Sequence, residues 1–122
     1  MRVAGFGFRQ AASLASLRDA LAAAGGAKGI DALATVAQKA ASPALLALAA
    51  EMGLPIRALA TETLAHVGTP TRSDRVMARF GTGSLAEAVA LAAAGAEAYL
   101  LAPRAISTDG MAVAAIAEGN TI

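Results

Sequence analysis

The chain contains no cysteine and a single histidine. That removes disulfides, thiolate nucleophiles and the cysteine or histidine clusters that hold zinc and iron–sulfur centres. No metal or other cofactor held by protein side chains is expected. Tryptophan is absent and aromatic residues make up only 3% of the chain, whereas 57% is hydrophobic and much of that is alanine. Such an interior is built from thin side chains and closely packed helices, which favours helices laid on a sheet. Excess charge is also lacking: 10 Lys and Arg stand against 9 Asp and Glu. There is no broad basic field for a nucleic-acid backbone, and no nucleic-acid partner is expected. The longest apolar stretch, residues 86–102, is broken by Glu87, Gly95 and Glu97. It is too short and too polar to span a bilayer. The opening residues show no basic segment leading into an apolar run and a small-residue cleavage site, so the expected location is cytoplasmic.

With 122 residues the chain can bury a core as one domain, 1–122. Residues 2–8 form an apolar run suited to a strand buried on both faces, and Gly5 and Gly7 within it let a backbone or a ligand come close. Residues 10–24 carry Leu14, Leu17 and Leu21 at helical spacing, with Arg18 and Asp19 turned outward, and stop at Gly25-Gly26. Residues 31–36 read as a second strand. Ser42-Pro43 opens a helix through Leu45, Leu48 and Met52 that ends at Gly53. Residues 55–60 read as a third strand, completing a βαβαβ pattern with right-handed parallel crossovers.

Residues 61–66 and 73–80 read as short helices flanking a loop, 67–73. Ser84-Leu-Ala-Glu87 is a capping box, with the serine accepting from the Glu87 N–H and the glutamate reaching back, so a helix runs from there to Gly95. Residues 98–102 read as a fourth strand, 103–110 as a loop, and 111–117 as a fifth strand antiparallel to the fourth. The expected architecture is an α/β three-layer sandwich with a mostly parallel sheet and a C-terminal antiparallel hairpin.

If the first four strands are parallel, their C-terminal ends share one edge, where open α/β sheets place ligands. Arg9, Lys39 and Arg104 fall just beyond three of those ends. The Gly81-Thr82-Gly83-Ser84 loop opens the helix that leads to the fourth strand, turning its N–H groups to the same side. A ligand with several carboxylates or phosphates is the natural guest, since each charge-assisted bond contributes about 1.5–3 kcal/mol. The plain alternative is that these cations reach into water or pair with loop carboxylates.

Gly5-Phe-Gly7 lacks the third glycine of a dinucleotide fingerprint, Gln10 standing there, and Val36-Ala37 stand where its acidic residue is needed. His66 reads as a surface or capping residue. Thr61 and Glu62 read as loop residues. Ser107 and Asp109 flank the Arg104 loop as polar groups on the rim, but no nucleophile, base and orienting group can be assembled from the sequence.

Taken together, Gly5-Phe-Gly-Phe-Arg9, Leu33-Ala-Thr-Val-Ala-Gln-Lys39, Gly53-Leu-Pro55, Gly81-Thr-Gly-Ser-Leu-Ala-Glu87 and Leu101-Ala-Pro-Arg104, followed by residues 111–117, resemble the cobalamin-biosynthesis family CobE, which is similar to the C-terminal domain of CbiG. The resemblance implies a role in building the corrin ring of vitamin B12. It further implies binding of a tetrapyrrole intermediate, a precorrin or hydrogenobyrinic acid with or without cobalt, whose acetates and propionates would meet Arg9, Lys39 and Arg104. Gly5, Gly7, Phe8, Thr82, Gly83, Ser84 and Ser107 complete the expected site, with Phe6, Phe8 or Met111 against the macrocycle. Three roles remain open on this footing. The first is a carrier or accessory; the second is an enzyme like cobalt-precorrin-5A hydrolase, opening a lactone with help from Ser107, Asp109 or Lys39. The third is a docking partner of other pathway enzymes, and self-association is compatible with each.

Overall fold

The computed structural model describes residues 1–65, 67–74, 76–77, 84–95 and 97–119. The strands are β1 (Arg2–Phe8), β2 (Ala32–Val36), β3 (Ile56–Leu59), β4 (Tyr99–Leu100), β5 (Ala105–Ile106) and β6 (Ala112–Glu118). The helices are α1 (Leu14–Ala24), α2 (Pro43–Met52), α3 (Thr61–Leu64) and α4 (Leu85–Ala94), with a 3₁₀ turn at Ala37–Lys39. Among the described residues no helix is long and apolar enough to cross a membrane.

The sheet order is β3-β2-β1-β6-β4, with β5 also on β6. β1, β2 and β3 are parallel, whereas β6 is antiparallel to β1, β4 and β5. β4 therefore runs in the same direction as the first three strands, but it is separated from them by the last one. The C-terminal hairpin is present in a broken form: β4 and β5 are two short pieces of one edge, both held by β6. β5 lies inside the span read from the sequence as loop, and two residues of strand leave no periodic signal to read.

Alternation along β1 sets the layers, because successive side chains point to opposite faces. Ala4 and Phe6 pack with Leu17, Leu21, Leu33, Leu45 and Leu48 under α1 and α2. Val3 packs on the other face with Ala34, Val36, Leu64, Val89 and Ala90, under α3 and α4. Gly5 shares that second face. A Cβ there would lie 2.3 Å from the Ala86 carbonyl oxygen and 2.7 Å from the Ala90 nitrogen, so α4 sits closer to β1 than any side chain permits. The alanines of α4 serve the same close approach, with Ala86, Ala88, Ala90 and Ala94 all buried.

Helix starts differ from the periodic reading where a side chain can satisfy the first free N–H groups. α1 begins at Leu14 because Ser13 and Ser16 form a reciprocal capping box, leaving Gln10 and Ala11 as a turn ahead of the extended Ser13 cap. α4 begins as expected at Ser84, whose hydroxyl accepts from the Glu87 N–H at 3.4 Å. The reciprocal half of that expected box is not made, since the Glu87 carboxylate points elsewhere. α3 ends at Leu64, short of the span expected. Asp74, Val76 and Met77 are helical, while His66, Phe80, Gly81, Thr82 and Gly83 lie outside the described residues.

Candidate functional site

At the C-terminal ends of β1 and β2, and the starting end of β6, an open cleft of about 810 Å³ crosses the sheet edge. Gly7, Leu85, Ala112 and Val113 form an apolar floor, with Phe8 and Met111 beside it. Arg9, Lys39 and Arg104 all line it, as do Gln10 and Ser73. None of the described lining residues carries a carboxylate.

Each cation arrives on a different connection. Arg9 extends the β1–β6 pairing by one bond, its N–H donating to the Met111 carbonyl at 2.9 Å, and then the chain turns toward α1. Lys39 closes the 3₁₀ turn that leaves β2, and its Nζ lies 5.3 Å from the centroid of the Phe8 ring. That is a cation–π distance, so the ring face is covered by the ammonium. Arg104 lies between β4 and β5, half-buried, and its backbone N–H donates to Glu87 Oε2 at 2.7 Å.

Glu87 is fully buried and serves more than the helix start. Its Oε1 accepts from the Thr71 N–H at 3.0 Å, and its Oε2 accepts from the Thr71 hydroxyl at 2.8 Å as well as from Arg104. A carboxylate taken out of water needs such donors. The sequence carried a signal for this: Glu87 is the sole polar residue in an otherwise apolar α4.

Ser107 and Asp109 stand behind the cleft wall and tie the β5–β6 turn to α1. Asp109 accepts from the Ser16 and Ser107 hydroxyls, both at 2.6 Å, and from the Met111 N–H at 3.0 Å. These hydrogen bonds, that of Ser107 first, lower its pKa from 3.8 to about 2. Ser107 is buried and accepts from the Ala112 N–H at 3.0 Å. Gly110, at φ +72°, allows the turn to close. Thr108 donates through its N–H and hydroxyl to Asp19, whose pKa is lowered by those bonds.

Of the residues expected to form a site, Gly7, Phe8, Arg9, Lys39 and Arg104 meet at the cleft, and Met111 joins them. Gly5, Ser84 and Ser107 do not; all three are buried, Gly5 beneath α4. Phe6 is corrected from a ligand contact to a fully buried core residue under α1 and α2. Thr82 and Gly83 lie outside the described residues. Thr61 and Glu62, read as loop residues, instead open the short helix α3, where the Thr61 hydroxyl accepts from Gln38 Nε2 at 3.0 Å. Ser73, Val76 and Leu85 also line the cleft, because the segment carrying Ser73 and Val76 and the start of α4, apart in sequence, both reach it. Among the described residues no cluster of acidic or histidine side chains could hold a metal ion.

Residues 2–117 match the family described as cobalamin synthesis G C-terminus, CbiG_C. The chain belongs to this family. Its fold is similar to that of CobE, a protein from the cobalamin biosynthetic pathway, with 31% identity and a TM-score of 0.81 over 100% of this chain and 92% of that one. It is similar also to the cobalamin biosynthesis protein chiG from Agrobacterium tumefaciens, with 32% identity and a TM-score of 0.73 over 99% of this chain and 100% of that one. A cobalamin biosynthesis protein G homologue from Sulfolobus solfataricus shares the fold at 17% identity and a TM-score of 0.70, covering 98% of this chain and 37% of that one. No curated protein matches the chain. This CbiG C-terminal-like chain is therefore a cobalamin-biosynthesis protein with the α/β architecture of CobE.

Proposed function

We propose that this protein binds a carboxylate-rich corrin intermediate, a precorrin or hydrogenobyrinic acid with or without cobalt, in the cleft, and serves the pathway as a carrier or accessory. The observation that carries this reading is the wall of the cleft. Cations from three connections surround an apolar floor, and no described lining residue opposes them with a negative charge. The two guanidinium groups can grip carboxylates bidentately, while Lys39 offers a point charge set on Phe8. The cleft volume of about 810 Å³ falls within the range of ligand sites.

The carrier role is preferred to lactone opening because two of the three groups that could assist that chemistry, Ser107 and Asp109, are engaged with each other, leaving Lys39 without a partner acid or base among the described residues of the cleft. Ser107 donates to Asp109, and Asp109 receives three donors that anchor a turn. Titration with hydrogenobyrinic acid should give a saturable change in the visible spectrum and co-elution with the protein. An unchanged spectrum with no co-elution would sink the reading. The carboxyl ester of the same macrocycle should bind far more weakly, because it keeps the apolar ring and loses the charges.

A further inference from the structure

We infer that Glu87 is the positioning residue of the cleft: its one buried carboxylate fixes the Arg104 connection and the 69–73 loop as a unit. The inference rests on the corrin-binding reading and concerns how that site is held in shape. Glu87 sits in the first turn of a ten-residue helix packed against the sheet, so its backbone has little freedom. Its Oε2 receives both the Arg104 N–H, at 2.7 Å, and the Thr71 hydroxyl, at 2.8 Å, while its Oε1 receives the Thr71 N–H at 3.0 Å. Arg104 lines one wall of the cleft and Ser73, two residues beyond Thr71, lines another. Thr69 closes the loop on itself, donating to the Thr71 carbonyl at 2.9 Å, so the segment follows Thr71 as a body.

Glutamine in place of Glu87 keeps the volume, but it has one acceptor oxygen and brings an NH₂ group that faces donors. With its oxygen at the Oε2 position the amide loses the Thr71 N–H bond, and with its oxygen at the Oε1 position it loses the Arg104 N–H bond, so the three donors are no longer all held. A ligand that engages Arg104 must restrain Thr71 through the same carboxylate, and restraint of Thr71 must favour the ligand in return.

The test is a double-mutant cycle read by hydrogenobyrinic acid affinity. Glu87→Gln should weaken binding roughly tenfold, the scale of one charge-assisted contact. In an Arg104→Ala background the same change should cost clearly less, since only the loop's share of the restraint is then left to lose. A merely structural role would lower the melting temperature and leave the two losses additive. Thr71→Val, which removes only a loop hydroxyl, provides the same cycle if Glu87→Gln does not fold, with a smaller loss that also shrinks beside Arg104→Ala. Additive losses, or wild-type affinity in both variants, overturn the inference while leaving corrin binding intact. Failure of the wild-type protein to take up the probe overturns both.

Discussion

Lys39 rests its ammonium over the face of Phe8, with Nζ 5.3 Å from the ring centroid. A flexible lysine is thereby given a preferred place at the cleft, at an energy of about 0.5–1 kcal/mol for a partly exposed pair. Phe8→Leu should reduce hydrogenobyrinic acid affinity several-fold, whereas Phe8→Tyr, which keeps the ring face, should not. Isothermal titration of both variants checks this, and equal affinities for leucine and tyrosine would show that the ring does not orient Lys39.

Arg9→Ala, Lys39→Ala and Arg104→Ala should each weaken binding about tenfold, with the loss shrinking at high salt. Arg9 is exposed, so its replacement should change stability by no more than about 0.5 kcal/mol. Circular dichroism and spectral titration on the same samples separate folding from binding. Unchanged affinity in all three variants would remove the cleft as the site.

Gly5 and Gly7 lie two residues apart on one strand and should respond differently to alanine. At Gly5 the new methyl meets helix backbone, 2.3 Å from the Ala86 oxygen, and α4 must move as a body. At Gly7 the nearest atom is Val113 Cγ2, at 3.2 Å, a side-chain end with room to adjust. Gly5→Ala should destabilise by about 2–3 kcal/mol, and Gly7→Ala by about 1 kcal/mol or less. Urea unfolding compares them, and equal midpoints would contradict the close approach of α4.

The Asp109 junction predicts an acid-sensitive fold. Its folded pKa, about 2, lies below the ordinary 3.8, so its contribution is complete above the higher value and is lost as pH falls through that window. Asp19, lowered in the same direction by Thr108, adds to the effect. Wild type should lose stability between about pH 4 and pH 2, and Asp109→Asn should show a flatter profile there. Parallel profiles in thermal melts across that range would exclude this account.

The β1-α1-β2-α2-β3 order could be read from the chain because each element carries its own local signal, such as the Leu14, Leu17 and Leu21 stripe or the Ser42-Pro43 start. The gathering of Arg9, Lys39 and Arg104 was legible for the same reason: each follows a strand, and those strands run one way. What escaped is decided by contacts distant in sequence. Nothing in residues 112–118 says that this strand slips between β1 and β4 rather than onto an edge. Phe6 and Phe8 share a face and differ only in depth, which depends on where α1 and α2 end above them. Glu87 looked like half of a capping box until Thr71 and the Arg104 N–H supplied better donors for its carboxylate.

The central place of β6 bears on how this chain is made. A ribosome produces β1 through β5 before Ala112–Glu118 exists, and during that interval the seven residues of β1 present an unpaired edge. Ala112 and Val113 are also part of the cleft floor. Until β6 is threaded between β1 and β4, the nascent chain has neither a sealed sheet nor a complete cleft. The pairing that ends the exposure of the β1 edge is thus the same one that completes the cleft.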